Sequence, residues 1–346
     1  MRLPPSEIPL GAMRFNSDSQ KLEYWMGSAW MQIKTFSPNL GNSAAGVRGV
    51  HNIGNFSTAL NTLEFLTISS QGSSTDFGDS TQARVGGSAP SSRTRGLFAG
   101  GNLGAPGYGS PNTIDYITFS STGNAQDFGD LSEPHDYGRN NISSGTRGVM
   151  AGGWPADNDT IDFVTIASLG NAVDFGNLVE NTGGGPPGAS SPTRGLFCGG
   201  YHPSPSPLVS RNTIQFVTIA TTGNTQDFGD MTTIRSHGGA SGNSTRILVS
   251  SGYTDPSTQI KSIDKITIAT LGNATSFGDA GFTGFAKGST SSPTRSVFIG
   301  GSSSPSTVTT IEYNEIATEG DSVDFGDMSA AGGWIAANSN GHGGLG

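Results

Sequence analysis

The residues of this chain best suited to ligand chemistry are aromatic side chains that follow a repeated Gly-Gly pair. Trp154, Tyr201 and Tyr253 come immediately after that pair or its equivalent, and Tyr108 and His202 lie in the same stretches. Aromatic rings beside hydroxyl and amide groups suit sugars, because a sugar ring has apolar C–H faces and hydroxyl edges. We expect these five residues to line a ligand-binding surface. The alternative is that the rings only cap the ends of strands.

Patterns typical of catalysis or metal binding are weak. Asp-Phe-Gly occurs five times, without the Gly-rich phosphate loop, strand lysine and His-Arg-Asp of a protein kinase. The recurring carboxylates lack the dense Asp-x-Asp-x-Asp loop of a calcium site, and the five histidines lack zinc-ligand spacing. We therefore expect no enzyme activity, no metal and no cofactor. A glycan-cleaving activity is the alternative.

Composition excludes several classes of partner. The formal net charge is −9 and no Lys/Arg cluster occurs, so we expect no nucleic-acid partner. Cys198 is the single cysteine, which excludes an internal disulfide and predicts a small buried side chain. No stretch approaches the ~20 apolar residues of a membrane span, so we expect no membrane insertion. The N-terminus lacks the apolar segment of a signal peptide.

A sequence unit of about 50 residues recurs six times, and it predicts the secondary-structure elements that position these residues. An apolar residue precedes a Phe by 14 residues in each copy, and an Arg opens the first half of each copy. The spacing from Arg to the apolar residue varies, so insertions fall after the Gly-Gly pair. The repeated residues are Arg48, Arg95, Arg147, Arg194, Arg246 and Arg295, and Phe77, Phe128, Phe175, Phe228, Phe277 and Phe325.

Each unit predicts four short antiparallel strands, which we call A to D. Strand A is a Gly/Ala/Ser stretch, strand B begins at the Arg, strand C is the Ile-Asp-aromatic segment, and strand D contains Asp-Phe-Gly-Asp. Strand C alternates apolar and polar residues, as a half-buried strand requires. Four strands in a repeat of this length predict one blade of an all-β propeller. Variable B–C connections on a rigid ring favour recognition on one face.

The repeated Arg and Phe residues are interpreted as scaffold because every copy contains them. Charge-assisted hydrogen bonds from each Arg to an Asp or to backbone carbonyls, within or between blades, would satisfy its guanidinium group. We therefore expect loss of the Arg194 side chain to loosen the fold rather than a ligand site.

The repeat resembles known proteins over about residues 40–330. The Gly-Gly pair and the following C–D hairpin look like Kelch repeats, with Phe in place of the strand-D Trp. The form Asn-Thr-Ile-Asp-Tyr/Phe-x-Thr-Ile-Ala-Thr-x-Gly-Asn-Ala-x-Asp-Phe-Gly-Asp closely resembles repeats in virion structural and tail-fibre-like proteins of marine bacteriophages. That resemblance implies a Kelch-like propeller and a virion location.

The chain ends predict how the ring closes. We expect residues 1–10 to form an extension and residues 11–38 to supply strands of the closing blade; within them, residues 11–36 resemble a module that precedes repeats in phage tail fibres. Leu22 precedes Phe36 by the same 14 residues as in the repeats. We therefore expect a seventh blade with strands B to D from residues 12–36 and strand A from residues 331–346, beside the six repeats of 39–330. The alternative is a six-bladed ring with an independent N-terminal hairpin.

These observations predict a bacteriophage virion structural protein, in the tail or tail fibre. Its loop face would serve in receptor binding during host adsorption, with a host-surface glycan or another virion protein as partner. The alternatives are a purely structural capsid or tail decoration protein, and an extracellular adhesin or glycan-active enzyme. The sequence leaves the oligomeric state open.

Overall fold

In a computed structural model of the protein, the chain divides into two compact units, residues 1–45 and 46–346. The residues described are 8–16, 21–32, 47–55, 57–105, 109–134, 138–153, 159–180, 185–202, 209–254 and 258–345. The described part is built from β-strands and one short 3₁₀ helix, Gly343–Leu345. The prediction of an all-β fold is confirmed.

Each of the six repeats forms one antiparallel sheet, numbered here sheet 1 to sheet 6 after its repeat. The predicted order A, B, C, D is confirmed wherever four strands are present. Strands A to D are Ala337–Ser339, Arg48–Asn55, Thr58–Thr67 and Thr75–Asp79 in sheet 1; Ile142–Ser143, Arg147–Ala151, Thr160–Thr165 and Val173–Asn177 in sheet 3; and Pro187–Ser190, Arg194–Cys198, Val209–Thr218 and Gln226–Arg235 in sheet 4. They are Gly239–Gly242, Arg246–Thr254, Thr258–Thr267 and Thr275–Asp279 in sheet 5, and Gly288–Ser291, Arg295–Ile299, Ser306–Glu315 and Val323–Gly332 in sheet 6. Sheet 2 has strands B to D, which are Arg95–Ala99, Thr113–Thr118 and Gln126–Asp130.

Small departures from this plan occur at the sheet edges. In sheet 2 the position of strand A is held by isolated bridges from Ser88 and Ser91 to strand B. Sheets 4 and 6 carry an additional short strand, Tyr201–His202 and Ser302–Ser303, which pairs with the start of strand C. Arg139–Asn140 pairs in parallel with strand A of sheet 4 and so links two neighbouring repeats.

The N-terminal unit contains its own three-stranded antiparallel sheet, Met13–Asn16, Lys21–Trp25 and Trp30–Gln32. Leu22 falls on the middle strand, where the repeat pattern places strand C, whereas Phe36 lies outside the described residues. The rings of Trp25 and Trp30 are 5.4 Å apart, and the Arg14 guanidinium lies over the Trp30 ring. These contacts give the small unit an aromatic core of its own.

The C-terminal strand belongs to sheet 1, which corrects the predicted pairing with residues 12–36. Ala337–Ser339 pairs with Arg48–Asn55, with Ser339 opposite Gly49. The physical reason is that strand B of the first repeat needs a partner at its inner edge, and these small residues fit beside it as strand A does elsewhere. Asn340 completes the match, because its Oδ1 accepts a 2.9 Å hydrogen bond from the Arg48 amide, as Ser92 Oγ accepts one from Arg95.

The apolar core is divided into six clusters, each shared by two sheets. Strand-B, strand-C and strand-D residues of one sheet pack on those of the next, for example Leu97 and Phe128 of sheet 2 on Met150 and Val164 of sheet 3. One cluster joins sheet 6 to sheet 1 and contains Ile53, Leu66, Ile68, Val297, Ile299, Ile311 and Phe325. The six repeated Phe residues are all at most 4% exposed. No sheet buries its apolar face by itself, as expected for a repeat protein.

The Gly-Asn and Phe-Gly-Asp motifs form a backbone clasp between repeats. Gly123 N donates to Phe77 O, Ala125 N donates to Asp79 O, and Asp79 N donates to Asn124 Oδ1, at 2.7, 2.7 and 3.1 Å. Equivalent bonds occur at every junction, including Gly72 N to Phe325 O at 2.8 Å and Ser74 N to Asp327 O at 2.9 Å, from sheet 1 to sheet 6. The clasp covers the edge of strand D, which would otherwise expose unpaired backbone groups.

The repeated Arg residues bridge the same junctions. Arg95 Nη1 donates to the carbonyls of Ile166 and Ala167 in the next repeat, at 3.1 and 3.0 Å. Its guanidinium also lies over the Tyr116 ring, 4.9 Å from the centroid. Arg295 makes the corresponding bond from sheet 6 to Ile68 of sheet 1 at 3.2 Å. The observed acceptors are backbone carbonyls of the neighbouring repeat, and Arg295 Nε also donates to the Glu315 carboxylate of its own sheet at 2.7 Å.

Replacing Arg194 with Ala is expected to lower the free energy of unfolding by about 2 kcal/mol, because a charged donor and a cation–π contact are lost. Arg194 Nη1 donates to the Ile268 and Ala269 carbonyls at 3.0 and 3.1 Å, and its guanidinium lies over Phe216. Thermal and urea unfolding measure the effect. The control is Lys261→Ala, whose ion pair with Asp279 is about half exposed and should contribute less than ~1 kcal/mol. Equal unfolding curves for Arg194→Ala and the wild type would contradict this role.

Candidate functional site

The candidate site lies where the B–C and D–A connections meet. In an antiparallel sheet of order A, B, C, D, the C–D and A–B turns fall at one end, and the B–C and D–A connections fall at the other. The first kind of end is regular, since Gly and Asn or Ser form short turns there. The end with the B–C and D–A connections contains the segments that vary in length between repeats, including the stretch after the Gly-Gly pair where the sequence predicts insertions. Side chains from two connections of each repeat can therefore come together at this end.

An aromatic cluster forms there from repeats 4, 5 and 6. The Tyr201 ring stacks on His237 at 5.2 Å between centroids, and His237 meets Trp334 edge-on at 5.1 Å. Tyr253 packs on Phe285 at 4.1 Å, and Phe285 meets Trp334 at 6.0 Å. We call Tyr201, His237, Tyr253, Phe285 and Trp334 the aromatic cluster. Tyr201 is 7% exposed, whereas the other four side chains remain partly exposed.

Backbone hydrogen bonds hold the cluster in place. Ala286 N donates to His237 O, Trp334 N donates to Ala286 O, and Gly86 N donates to Trp334 O, at 2.8, 2.9 and 2.5 Å. These four residues stand just before strand A in sheets 5, 6, 1 and 2, and all four have a positive φ of 58° to 71°. The left-handed conformation is strained for any residue with a Cβ, and most of all for a bulky one. The rings of His237 and Trp334 are therefore fixed by a rigid backbone.

The sequence-predicted site residues are only partly brought together. Tyr201 and Tyr253 both join the aromatic cluster through His237. Burial of Tyr201 agrees with a capping role for this one ring. The backbone of His202 pairs with Val209, whereas its side chain, together with Trp154 and Tyr108, lies outside the described residues.

Sequence reasoning missed three members of the cluster, His237, Phe285 and Trp334. All three come from D–A connections, whereas the aromatic residues that the sequence predicts to bind a ligand lie in B–C connections. Position could have indicated His237: His237, Ala286 and Gly86 each precede the Arg of strand B by nine residues, so one aligned column contains His, Ala and Gly. The scaffold requires no particular side chain in this column, because Gly and Ala also occur there. A larger side chain in the column is therefore a candidate for ligand contact at the surface.

A row of buried polar side chains on strand C lies beside the site and belongs to the scaffold. Asp115 is fully buried although the alternating pattern predicts a polar outer face, because the preceding D–A connection covers it. The Thr81 amide donates to Asp115 Oδ2 at 3.1 Å, and Arg84 Nη2 donates to the same oxygen at 2.6 Å. The residues of this row are Glu64, Asp115, Asp162, Gln215, Asp264 and Glu312, and each accepts a hydrogen bond from the preceding repeat.

Basic partners neutralise three of the five carboxylates in the row. Arg84 and Arg235 pair with Asp115 and Asp264, and Lys287 pairs with Glu312. Burial lowers the pKa of Arg84, Arg235 and Lys287 from their ordinary values, and the facing carboxylates oppose that change. Removing one partner of a buried ion pair strongly destabilises the fold, because the other charge is left buried and unpaired. We therefore assign these carboxylates to packing between repeats.

The C-terminal tail contacts residues beside the A–B turn of repeat 2, at the end of the sheet opposite the candidate site. His342 Nε2 lies 3.0 Å from the Ser91 carbonyl, which can only accept, so Nε2 carries the proton. His342 Nδ1 accepts a 3.0 Å hydrogen bond from the Gly344 amide. Burial lowers the pKa of His342 to about 4. The neutral ring thus fixes the tail against repeat 2, and its Nδ1 has no room for a second proton without loss of the Gly344 bond.

The depressed pKa of His342 predicts acid sensitivity. Between pH 6.5 and about 4 the unfolded state binds a proton that the folded state does not, so stability falls as pH falls through this window. The expected loss is about 3 kcal/mol, at 1.36 kcal/mol for each pKa unit. Urea unfolding at several pH values should show a shallower pH dependence for His342→Asn than for the wild type. Some slope should remain, because burial also lowers the pKa of His51. Parallel profiles for the two proteins would contradict the assignment.

Cys198 offers no reactive thiol at this site. The side chain is fully buried, as the sequence predicts, and burial raises its pKa to about 12. A thiol of this kind stays protonated at neutral pH and is a poor nucleophile. Among the described residues, no group of three or more His, Cys, Asp or Glu side chains is placed to hold a metal ion.

Comparison of the chain with protein-family models and with curated proteins gives no match. The part of the chain that the structure describes contains no helix with the length and apolar character needed to cross a membrane.

Proposed function

We propose that residues 46–346 form a closed, six-bladed β-propeller that acts as a non-enzymatic binding component of a bacteriophage virion. Six successive junctions carry the same clasp, and the sixth joins sheet 6 to sheet 1. The Arg bridge and the shared apolar cluster follow the same cyclic order. The C-terminal strand supplies strand A of sheet 1, and this accounts for six blades instead of seven.

The observation that carries the functional proposal is the aromatic cluster at the variable end of the sheets. Four partly exposed rings, two of which (His237 and Trp334) are held by the hydrogen-bonded backbone described above, form a preorganised surface, and aromatic rings are effective contacts for sugar rings. The tail or tail fibre as the location, and the host-surface glycan as the ligand, follow from the resemblance of the repeats to marine phage virion proteins. The cluster would then face the host during adsorption.

The location is tested by immunogold labelling of purified particles from a phage that encodes this chain. The proposal expects label at the tail or its fibres, and expects an antibody against the chain to slow adsorption. Label on the capsid would favour a decoration protein, and chain recovered only outside the particle would favour an adhesin. Either result would contradict the proposal.

The ligand class is tested by applying the full chain to a glycan array and then measuring reducing ends released from the bound glycans. We expect binding without release. An increase in reducing ends would instead support a glycan-cleaving activity and would overturn the non-enzymatic assignment.

A further inference from the structure

An open cleft of about 480 Å³ lies beside the aromatic cluster, between the B–C hairpins of sheets 1 and 6. Sheet 1 contributes Asn55 and Ser57, and Trp334 comes from the connection between the two sheets. The residues lining it are Asn55, Ser57, Pro305, Ser306, Thr307 and Trp334. The volume falls within the roughly 300–1,000 Å³ of small-ligand sites.

The chemistry of the lining points to an uncharged, hydroxylated ligand. None of the six lining residues carries an ionisable side chain. Two serine hydroxyls, a threonine hydroxyl and an asparagine amide provide hydrogen-bonding groups, and the Trp334 ring and Pro305 provide apolar contact. An anionic ligand would find no basic residue in this lining, and a cationic one no carboxylate. A neutral pyranose matches both the aromatic face and the polar edge.

The scaffold does not require a tryptophan at this place. Ala286 and Gly86 occupy the corresponding left-handed position with φ of 61° and 71°, and they make the same inter-sheet hydrogen bonds. Trp334 adopts φ 64° there, a conformation that is strained for so bulky a side chain. Strain of this kind is concentrated at functional sites, where it fixes a group in its working orientation.

We infer that this seam cleft is a binding subsite for a neutral pyranose, with the Trp334 ring as the platform on which the sugar stacks. The inference rests on the proposed function as a glycan-binding component and names the site within it. Ser57 Oγ donates a 2.6 Å hydrogen bond to Asn55 Oδ1, so the Asn55 Nδ2 group and the Ser306 hydroxyl are the groups that would contact the sugar's edge from the two hairpins. Phe285 meets the Trp334 ring edge-on, and Tyr253 packs on Phe285.

The test uses the full chain and ligand-observed saturation-transfer NMR with methyl glucoside, galactoside, mannoside and N-acetylglucosaminide, beside glucuronide and sialic acid. We expect at least one neutral sugar to bind and the two acidic sugars to bind weakly or not at all. Ser306→Arg should weaken binding by more than about tenfold, because it fills the cleft, whereas Trp334→Phe should keep a platform and weaken binding by about threefold.

Thr258→Arg is the matched control. Thr258 begins strand C of sheet 5 exactly where Ser306 begins strand C of sheet 6, and both side chains are exposed. This variant should bind like the wild type, and all three variants should melt near the wild-type temperature. Unchanged sugar binding by Ser306→Arg would overturn the subsite and leave the proposed function standing. Binding restricted to acidic sugars would overturn the assignment of a neutral sugar as the ligand. Binding of no sugar by the wild type would overturn both the subsite and the proposed glycan-binding function.

Discussion

Replacing Gly326 with Ala is expected to lower the free energy of unfolding by about 3–5 kcal/mol, because backbone strain and overpacking each contribute about 1–3 kcal/mol. Gly326 lies on strand D of sheet 6 with φ +148°, and a Cβ there would stand 2.5 Å from the Gly72 carbonyl carbon of sheet 1. The new methyl group would therefore push apart the clasp between the last repeat and the first. Urea unfolding gives the difference directly.

Two further glycine variants distinguish the cost of backbone strain from the cost of disrupting the clasp between two sheets. Gly320→Ala shares a positive φ of +153° but meets nothing within 4 Å, so it should lose only about 1–2 kcal/mol. Gly229→Ala affects the equivalent position between sheets 4 and 5, where the Cβ would stand 2.6 Å from the Gly272 carbonyl. We expect Gly326→Ala to behave like Gly229→Ala. If it behaves like Gly320→Ala instead, sheets 6 and 1 are not clasped.

Removing residues 337–346 is expected to prevent cooperative folding of the repeats. Ala337–Ser339 supplies strand A of sheet 1, and Asn338 Nδ2 donates to the Leu97 carbonyl of sheet 2 at 3.0 Å. Ser339 Oγ donates to Ser291 O of sheet 6, and Arg93 Nη2 donates to Leu345 O. Each hydrogen bond contributes about 1 kcal/mol, so the total loss approaches the whole stability of a typical domain, about 5–15 kcal/mol.

The control for this truncation is removal of residues 1–45, which form the other compact unit. We expect the remaining repeats to keep their near-ultraviolet circular dichroism and to melt in one sharp transition. The C-terminal truncation should instead give a broad transition, poor solubility or dye binding typical of exposed apolar surface. A sharp transition near the wild-type temperature in the C-terminal truncation would show that sheet 1 folds without its fourth strand.

Most of the architecture could be predicted from the repeat. The constant spacing of 14 residues between the apolar residue and Phe fixes the C–D hairpin, since insertion there would break both the strand register and the clasp. The Gly-Asn turn is equally informative, because Gly has the positive φ that the turn needs and the Asn side chain reaches the previous strand D. A motif that recurs in every copy therefore indicates a contact that recurs at every junction between sheets.

The closing strand could not be placed from local pattern alone. Two inner edges compete for Ala337–Ser339, that of residues 12–36 and that of Arg48–Asn55, and both sequences look like parts of a blade. The outcome depends on side chains far apart in the chain, such as Asn340 beneath Arg48 and Asn338 beside Leu97. Contacts between residues about 290 positions apart leave no periodic signal in the sequence.

The candidate site was predictable only in part for a different physical reason. Tyr201 and Tyr253 stand out because they follow a conspicuous Gly-Gly position or its equivalent. His237, Phe285 and Trp334 become neighbours only when the D–A connections of successive sheets meet. Likewise, Asp115 looks like an exposed residue on the polar side of strand C, and its burial follows from Thr81 and Arg84 of the preceding connection.

Disulfide trapping across the junction between the last and first repeats tests the central claim most directly. Asp327 N lies 3.3 Å from Ser73 Oγ in sheet 1, as Asp79 N lies 3.1 Å from Asn124 Oδ1 between sheets 1 and 2. In both pairs the side chain of one residue accepts a hydrogen bond from the backbone amide of the other, so the two pairs are matched for replacement by cysteine. The native thiol of Cys198 is buried with a pKa of about 12 and will not compete. A closed ring predicts that Ser73→Cys/Asp327→Cys forms an intramolecular disulfide as completely as Asp79→Cys/Asn124→Cys. Trapping of the second pair alone, with the first remaining reduced or linking separate chains, would contradict it.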